Sequence, residues 1–148
     1  DRKILCPLSY GNKEYAKEIA STGKRIFKDN FIPLMDFMPL EEYNKTIQSC
    51  AIVIMNHYRQ QAFGNIIVMI YLGSKVYLDE RSTVYQFAKN LGLYIYSIST
   101  DLNNQNKTAL EGLTVEQKLH NKDILKKYMS KKELMQSLEQ GLKELNQK

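Results

Sequence analysis

The 148-residue chain has no apolar run near the roughly 20 residues that a membrane-spanning helix needs. It also lacks the long apolar N-terminal segment of a signal peptide, so a cytoplasmic location is expected. Cysteine is scarce. Cys6 and Cys50 lie beside apolar, strand-like segments with no metal-ligand spacing around them, which predicts two reduced, half-buried thiols and no disulfide framework. His57 and His120 are far apart and have no cysteine nearby, so no metal site is expected. The chain has no G-x-S-x-G elbow, Walker loop, H-E-x-x-H or G-x-G-x-x-G. No residue is therefore assigned a catalytic role, and no cofactor is implied. There is no internal repeat and no low-complexity linker, so residues 1–148 read as one domain. Its first residue, Asp1, comes just before a strand-like segment, which suggests a domain cut from a longer protein.

What the chain does have is alternation. Lys3–Leu8, Phe31–Met35, Ala51–Met55, Lys75–Leu78 and Leu93–Ile98 read as strands. Ala51–Met55 is the most continuous apolar run and is expected to be buried on both faces. Helical patterns separate the strands. Lys13–Lys28 places Tyr15, Ile19, Ile26 and Phe27 near one face, with Gly23 as a weak point. Pro39 precedes a short helix over Leu40–Ser49. A mostly apolar helix over Gln61–Leu72 closes at Gly73. Ser82 or Thr83 caps a helix that runs to Leu91 and closes at Gly92. Asp101–Lys107 is a polar loop. Helices fill the remainder from about Val115, with a capping box at Ser130–Glu133 and a stripe of Leu134, Leu138, Leu142 and Leu145 packed as core. This order predicts an α/β fold, a Rossmann-like, doubly wound parallel sheet with helices on both faces.

Such sheets bind ligands beyond the carboxyl ends of their strands. The rule singles out loops 9–12, 36–39, 56–61 and 79–83. The segment from Asn56 to Asn65 links a strand to a helix with amides, a histidine and an arginine. A helix N-terminus favours anions, and Arg59 adds a planar fork suited to phosphate oxygens. Gln60 and Gln61 can hydrogen-bond hydroxyls without adding negative charge. In the second polar cluster, Asp79–Thr83, Ser82 and Thr83 are caps first and ligand contacts second. Glu80 can accept hydrogen bonds from sugar hydroxyls or pair with Arg81 or a lysine at the surface, a pairing worth little. Chemistry alone leaves a ligand loop and an ordinary exposed loop about equally supported.

The formal net charge is +5, with lysines 118, 122, 126, 127, 131 and 132 gathered near the C-terminus. They form a solvated helical face that also suits peripheral contact with an anionic membrane. No zinc-finger or RNA-binding signature accompanies them, and no nucleic-acid partner is expected.

Phe37-Met38-Pro39-Leu40-Glu41-Glu42-Tyr43, then Cys50-Ala51-Ile52-Val53-Ile54, then Leu72-Gly73-Ser74-Lys75-Val76, resemble the C-terminal half of GT-B glycosyltransferases. Arg59-Gln60-Gln61 followed by Gly64, with Gly73, Leu78 and Asp101-Leu102 downstream, resembles the bacterial 4-alpha-L-fucosyltransferase family. The resemblance covers roughly residues 3–102. It implies a domain that binds a dTDP-linked deoxy-amino sugar, N-acetylfucosamine-like, for transfer to a lipid-linked saccharide in enterobacterial common antigen synthesis. The family's N-terminal domain, with the acceptor site and catalytic base, would be missing, and the fragment alone would be inactive. The resemblance assigns donor contacts to Gly11, Met38, Arg59, Gln60, Gln61, Gly64, Asn65, Glu80, Ser82 and Thr83. Gly11 would let the backbone approach the donor, Met38 would touch the base, and Arg59 would stabilise the departing diphosphate without a metal. Many GT-B enzymes carry two glutamates on the donor helix, and counting back from Gly73 puts Gln60 and Val68 at those places. Val68 offers a ribose no hydrogen bond, which favours a deoxyribose donor. The rival readings are a noncatalytic nucleotide-binding or signalling module and half of a sugar-nucleotide epimerase.

Overall fold

The computed structural model describes residues 2–58, 62–103 and 105–130. The Ser130–Glu133 capping box and the leucine stripe beyond it lie outside the described residues. The fold is α/β and Rossmann-like, with helices alternating with strands and every strand pair parallel. The chain divides into two compact units, Asp1–Lys45 and Thr46–Lys148.

In the first unit, β1 (Ile4–Pro7) pairs with β2 (Phe31–Leu34), in register from Ile4 against Phe31 to Pro7 against Leu34. Leu8 N–H extends the ladder by donating to the Leu34 carbonyl at 2.8 Å. The crossover is α1 (Lys13–Phe27) followed by a 3-10 turn, Lys28–Asn30. Asn12 caps α1, its side chain accepting the N–H groups of Glu14 and Tyr15 at 2.9 and 3.0 Å. The face expected to be apolar packs only in part. Ile19 is half-buried beside Ala16 and Gly23, the buried residues of α1, whereas Tyr15 and Ile26 are exposed and Phe27, 44% exposed, stacks on Phe31. Small residues face inward because the Phe31 ring occupies the space next to Gly23. Gly23 is thus the point where the helix meets the strand, and not a weakness in it.

Helix α2 (Leu40–Gln48) spans the division between the units. In the second unit, β3 (Ile52–Met55), β4 (Lys75–Leu78) and β5 (Tyr96–Ser97) form a sheet in that order. The connections are α3 (Phe63–Tyr71) and α4 (Thr83–Asn90). The strand buried throughout is β4, not the more apolar β3. As an edge of this sheet, β3 leaves Ile54 52% exposed. Gly73 and Gly92 follow α3 and α4 with φ of +91° and +79°, the left-handed values a helix stop favours. Leu93 and Ile95 are buried as expected of a strand, but a tight turn, Ile95 N–H to Leu93 carbonyl, delays pairing until Tyr96.

Helix α5 (Val115–Tyr128) opens with a capping box that the sequence reading did not register. Thr114 Oγ1 accepts from Gln117 N–H, and Gln117 Oε1 accepts from Thr114 N–H. Rings connect the three helices, Phe63 to Phe87 and Phe87 to Tyr128, at 5.5 and 5.4 Å between centroids. The segment before α5 is tied to β4. Lys75 Nζ donates to the Thr108 carbonyl at 2.8 Å, and the Tyr77 hydroxyl donates to the Ala109 carbonyl at 2.6 Å.

Candidate functional site

Because β3, β4 and β5 run parallel, their carboxyl ends share one edge of the sheet. Asn56 follows β3, Asp79–Arg81 follow β4, and Ile98–Ser99 follow β5. These residues line a cleft of about 340 Å³. It lies where an open parallel sheet is expected to take a ligand.

The turn from β4 into α4 is built by its own side chains. Asp79 is buried, and its carboxylate accepts the backbone N–H of Arg81 at 2.9 Å. The Arg81 fork then donates from Nε to Oδ1 at 2.9 Å and from Nη2 to Oδ2 at 2.7 Å. A bidentate, charge-assisted pair of this kind is among the stronger side-chain contacts. Ser82 caps α4, accepting Tyr85 N–H at 3.2 Å. The guanidinium of Arg81 also lies over the Tyr58 ring, 4.0 Å from its centroid. That contact brings the loop after β3 to the loop after β4.

Hydrogen bonds from the Arg81 side chain and backbone hold the Asp79 carboxyl down at about 2. Arginine stays charged throughout, so the group that titrates is Asp79. A depressed carboxyl contributes stability above its ordinary value of 3.8 and loses it as pH falls from there towards 2. Acid unfolding followed by circular dichroism from pH 5 to 2 is expected to lose this component in Asp79→Asn. The variant should be less stable at neutral pH and shallower on the acid limb. An unchanged acid limb would show that Asp79 is not the group responsible.

Glu80 does not pair with Arg81, although that was one expectation. Its Oε2 accepts the hydroxyls of Ser97 at 2.6 Å and Ser99 at 2.7 Å. These bonds hold its carboxyl below the usual carboxylate range. Ser97 and Ser99 escaped the sequence reading; the turn after β5, in which Ser97 Oγ accepts the N–H groups of Ser99 and Thr100, is what brings their hydroxyls together. Asn56 and Asp79 were noted only as parts of polar loops, and the structure makes both of them walls of the cleft.

The expected contacts are distributed as follows. Gly11, at φ +93° before the Asn12 cap, and half-buried Met38 belong to the first unit. Gly64 and half-buried Asn65 lie in the first turn of α3. Ser82 is a buried cap, and Thr83 is the exposed first residue of α4. Of the ten, Glu80 lines the cleft. Arg59, Gln60 and Gln61 lie outside the described residues. Val68 is 44% exposed on α3, so it is not a core residue.

A family model described as 4-alpha-L-fucosyltransferase, glycosyl transferase group 56, matches residues 1–135. The chain belongs to this family. It is a glycosyltransferase of the fucosyltransferase type, and the β3–β5 cleft is the candidate site of that transferase. Neither the curated proteins nor the solved structures yield a match. No helix among the transferase's described residues is long and apolar enough to cross a membrane.

Proposed function

We propose that this chain is the donor-binding part of a transferase that moves a deoxy-amino sugar from dTDP to a lipid-linked saccharide. The observation that carries the reading is the cleft at the carboxyl ends of β3, β4 and β5. The start of α3 supports it. Ala62 takes the N-cap position at φ 52° and makes no side-chain cap bond to the first turn. A helix start without a capping side chain suits an anion such as a diphosphate. Arg59, three residues earlier in sequence, is our candidate for the side chain that meets it. The exposed hydrocarbon of Val68 supports a deoxyribose over a ribose. Lys118, Lys126 and Lys127 are exposed on α5 and support contact with the anionic inner face of a membrane that carries the acceptor.

Calorimetric titration with dTDP, UDP and GDP tests the reading. The expected result is binding of dTDP more tightly than of the two ribonucleotides. Equal or tighter UDP binding would overturn the dTDP preference, and failure of all three would overturn the donor-site reading. Arg59→Ala is expected to weaken dTDP by about 10- to 150-fold, the equivalent of the roughly 1.5–3 kcal/mol of a hydrogen bond to a charged group. Unchanged affinity would remove Arg59 from the site.

A further inference from the structure

The hydrogen-bonding capacity of the cleft is unevenly used. Among the described residues that line it, Arg81 is the cation, but two of its guanidinium nitrogens donate to Asp79 and its face lies over Tyr58. Asp79 is engaged in return, accepting three bonds from Arg81. Glu80 differs. One of its oxygens, Oε2, takes both serine hydroxyls, and among the described residues the other, Oε1, accepts no hydrogen bond.

The serines fix which way this carboxylate can act. A serine hydroxyl carries a single proton. With both protons donated to Oε2, the 2.9 Å contact between Ser97 Oγ and Ser99 Oγ carries none. Ser97 Oγ is held in turn by the N–H groups of Ser99 and Thr100 at 3.2 and 3.3 Å. Its backbone N–H donates to Asp101 at 2.7 Å. Gln86 Nε2 donates to the Glu80 carbonyl at 2.8 Å and fixes the backbone on the other side. The result is an ionised, oriented carboxylate on the wall of a cleft, able only to accept.

We propose that Glu80, positioned by Ser97 and Ser99, reads a hydroxyl of the nucleotide-sugar donor, and that the diphosphate lies away from it. This rests on the donor-site reading above. An ionised carboxylate needs a proton donor as its partner, which a sugar hydroxyl supplies. Phosphate oxygens at neutral pH carry no proton for it and repel its charge. The donor therefore lies with a sugar ring towards the β4–β5 side of the cleft. The ring is either the pentose of the nucleoside or the hexose to be transferred.

Titration of the full chain with dTDP and with dTDP-glucose separates the two sources. Glu80→Ala is expected to weaken binding by about 10-fold or more, as for a lost hydrogen bond to a charged acceptor. Equal weakening of both ligands places the pentose at Glu80. Weakening of dTDP-glucose alone places the hexose there. Either result supports the proposal. If the folded variant binds both ligands as the parent does, the proposal is overturned and the donor site stands. If the parent protein binds neither, the donor-site reading itself has failed. Ser99 is exposed, so Ser99→Ala should fold, and it tests the positioning role through pH. In the parent protein, affinity should persist below the usual carboxylate range before protonation of Glu80 weakens it. In Ser99→Ala the loss should begin at higher pH, and Ser99→Thr should restore the parent profile. Superimposable pH profiles for the parent and Ser99→Ala would remove Ser99 from the role.

Discussion

Asn121→Leu is expected to destabilise the protein by about 1–5 kcal/mol, although the two side chains share the same branched skeleton. Asn121 is fully buried on α5. Its Oδ1 accepts the Tyr94 N–H at 2.7 Å, and its Nδ2 donates to the Tyr94 carbonyl at 3.1 Å. The amide thus pairs with the backbone of the turn before β5 as a neighbouring strand would. Leucine leaves both Tyr94 groups without a partner, at about 1–3 kcal/mol each. The hydrocarbon gained recovers roughly 1 kcal/mol. A urea midpoint lower by about 0.5–2.5 M follows for a slope of about 2 kcal/mol per M, typical of small proteins. A change under about 0.5 kcal/mol would mean that water or a backbone shift satisfies Tyr94, and that Asn121 does not anchor α5.

Gly23→Ala is expected to have the opposite sign from the same change in an ordinary helix. Alanine normally gains about 1 kcal/mol over glycine within a helix. Here the added Cβ would overlap the Phe31 ring, with Cδ1 only 2.6 Å away. Phe31 is buried in β2, so the ring cannot simply turn out to solvent. Overpacking of this kind costs about 1–3 kcal/mol, which leaves a net loss of up to about 2 kcal/mol after the propensity gain of about 1 kcal/mol. The contact is specific, so Phe31→Leu should abolish the penalty. Denaturation of the two single variants and the double variant forms a cycle with a measurable coupling. Additive losses would mean that the helix and strand separate by another route.

The order of elements was legible because apolar runs alternate with helical patterns, and both helix stops at Gly73 and Gly92 follow from their own sequence. The centre of the sheet was not legible. Ala51–Met55 is the more apolar run, yet the central strand begins with a lysine. Lys75 is tolerated there because the Thr108 carbonyl and the rings of Tyr77 and Tyr96 receive its ammonium. Two of these partners come from much later in the chain, and no local pattern announces them. The site divides the same way. The loops at the strand ends followed from topology, and Glu80 from its place in one of them. Its partners Ser97 and Ser99 come from the end of β5, brought beside it by the parallel pairing of β4 and β5. The Asp79–Arg81 pair is local, but nothing in a run of neighbouring charges says which of two carboxylates the arginine will choose.

Lys75 also gives the molecule an internal gauge. It is only 4% exposed, and burial lowers its pKa from the ordinary lysine value. While it stays buried, the amine sheds its proton more readily than a surface lysine, a difference that ends once it is exposed. It is covered by the chain around Thr108, so an acylating reagent reaches it only when that cover opens. Its labelling rate, read by mass spectrometry against the exposed lysines of α5, would report how far that cover opens.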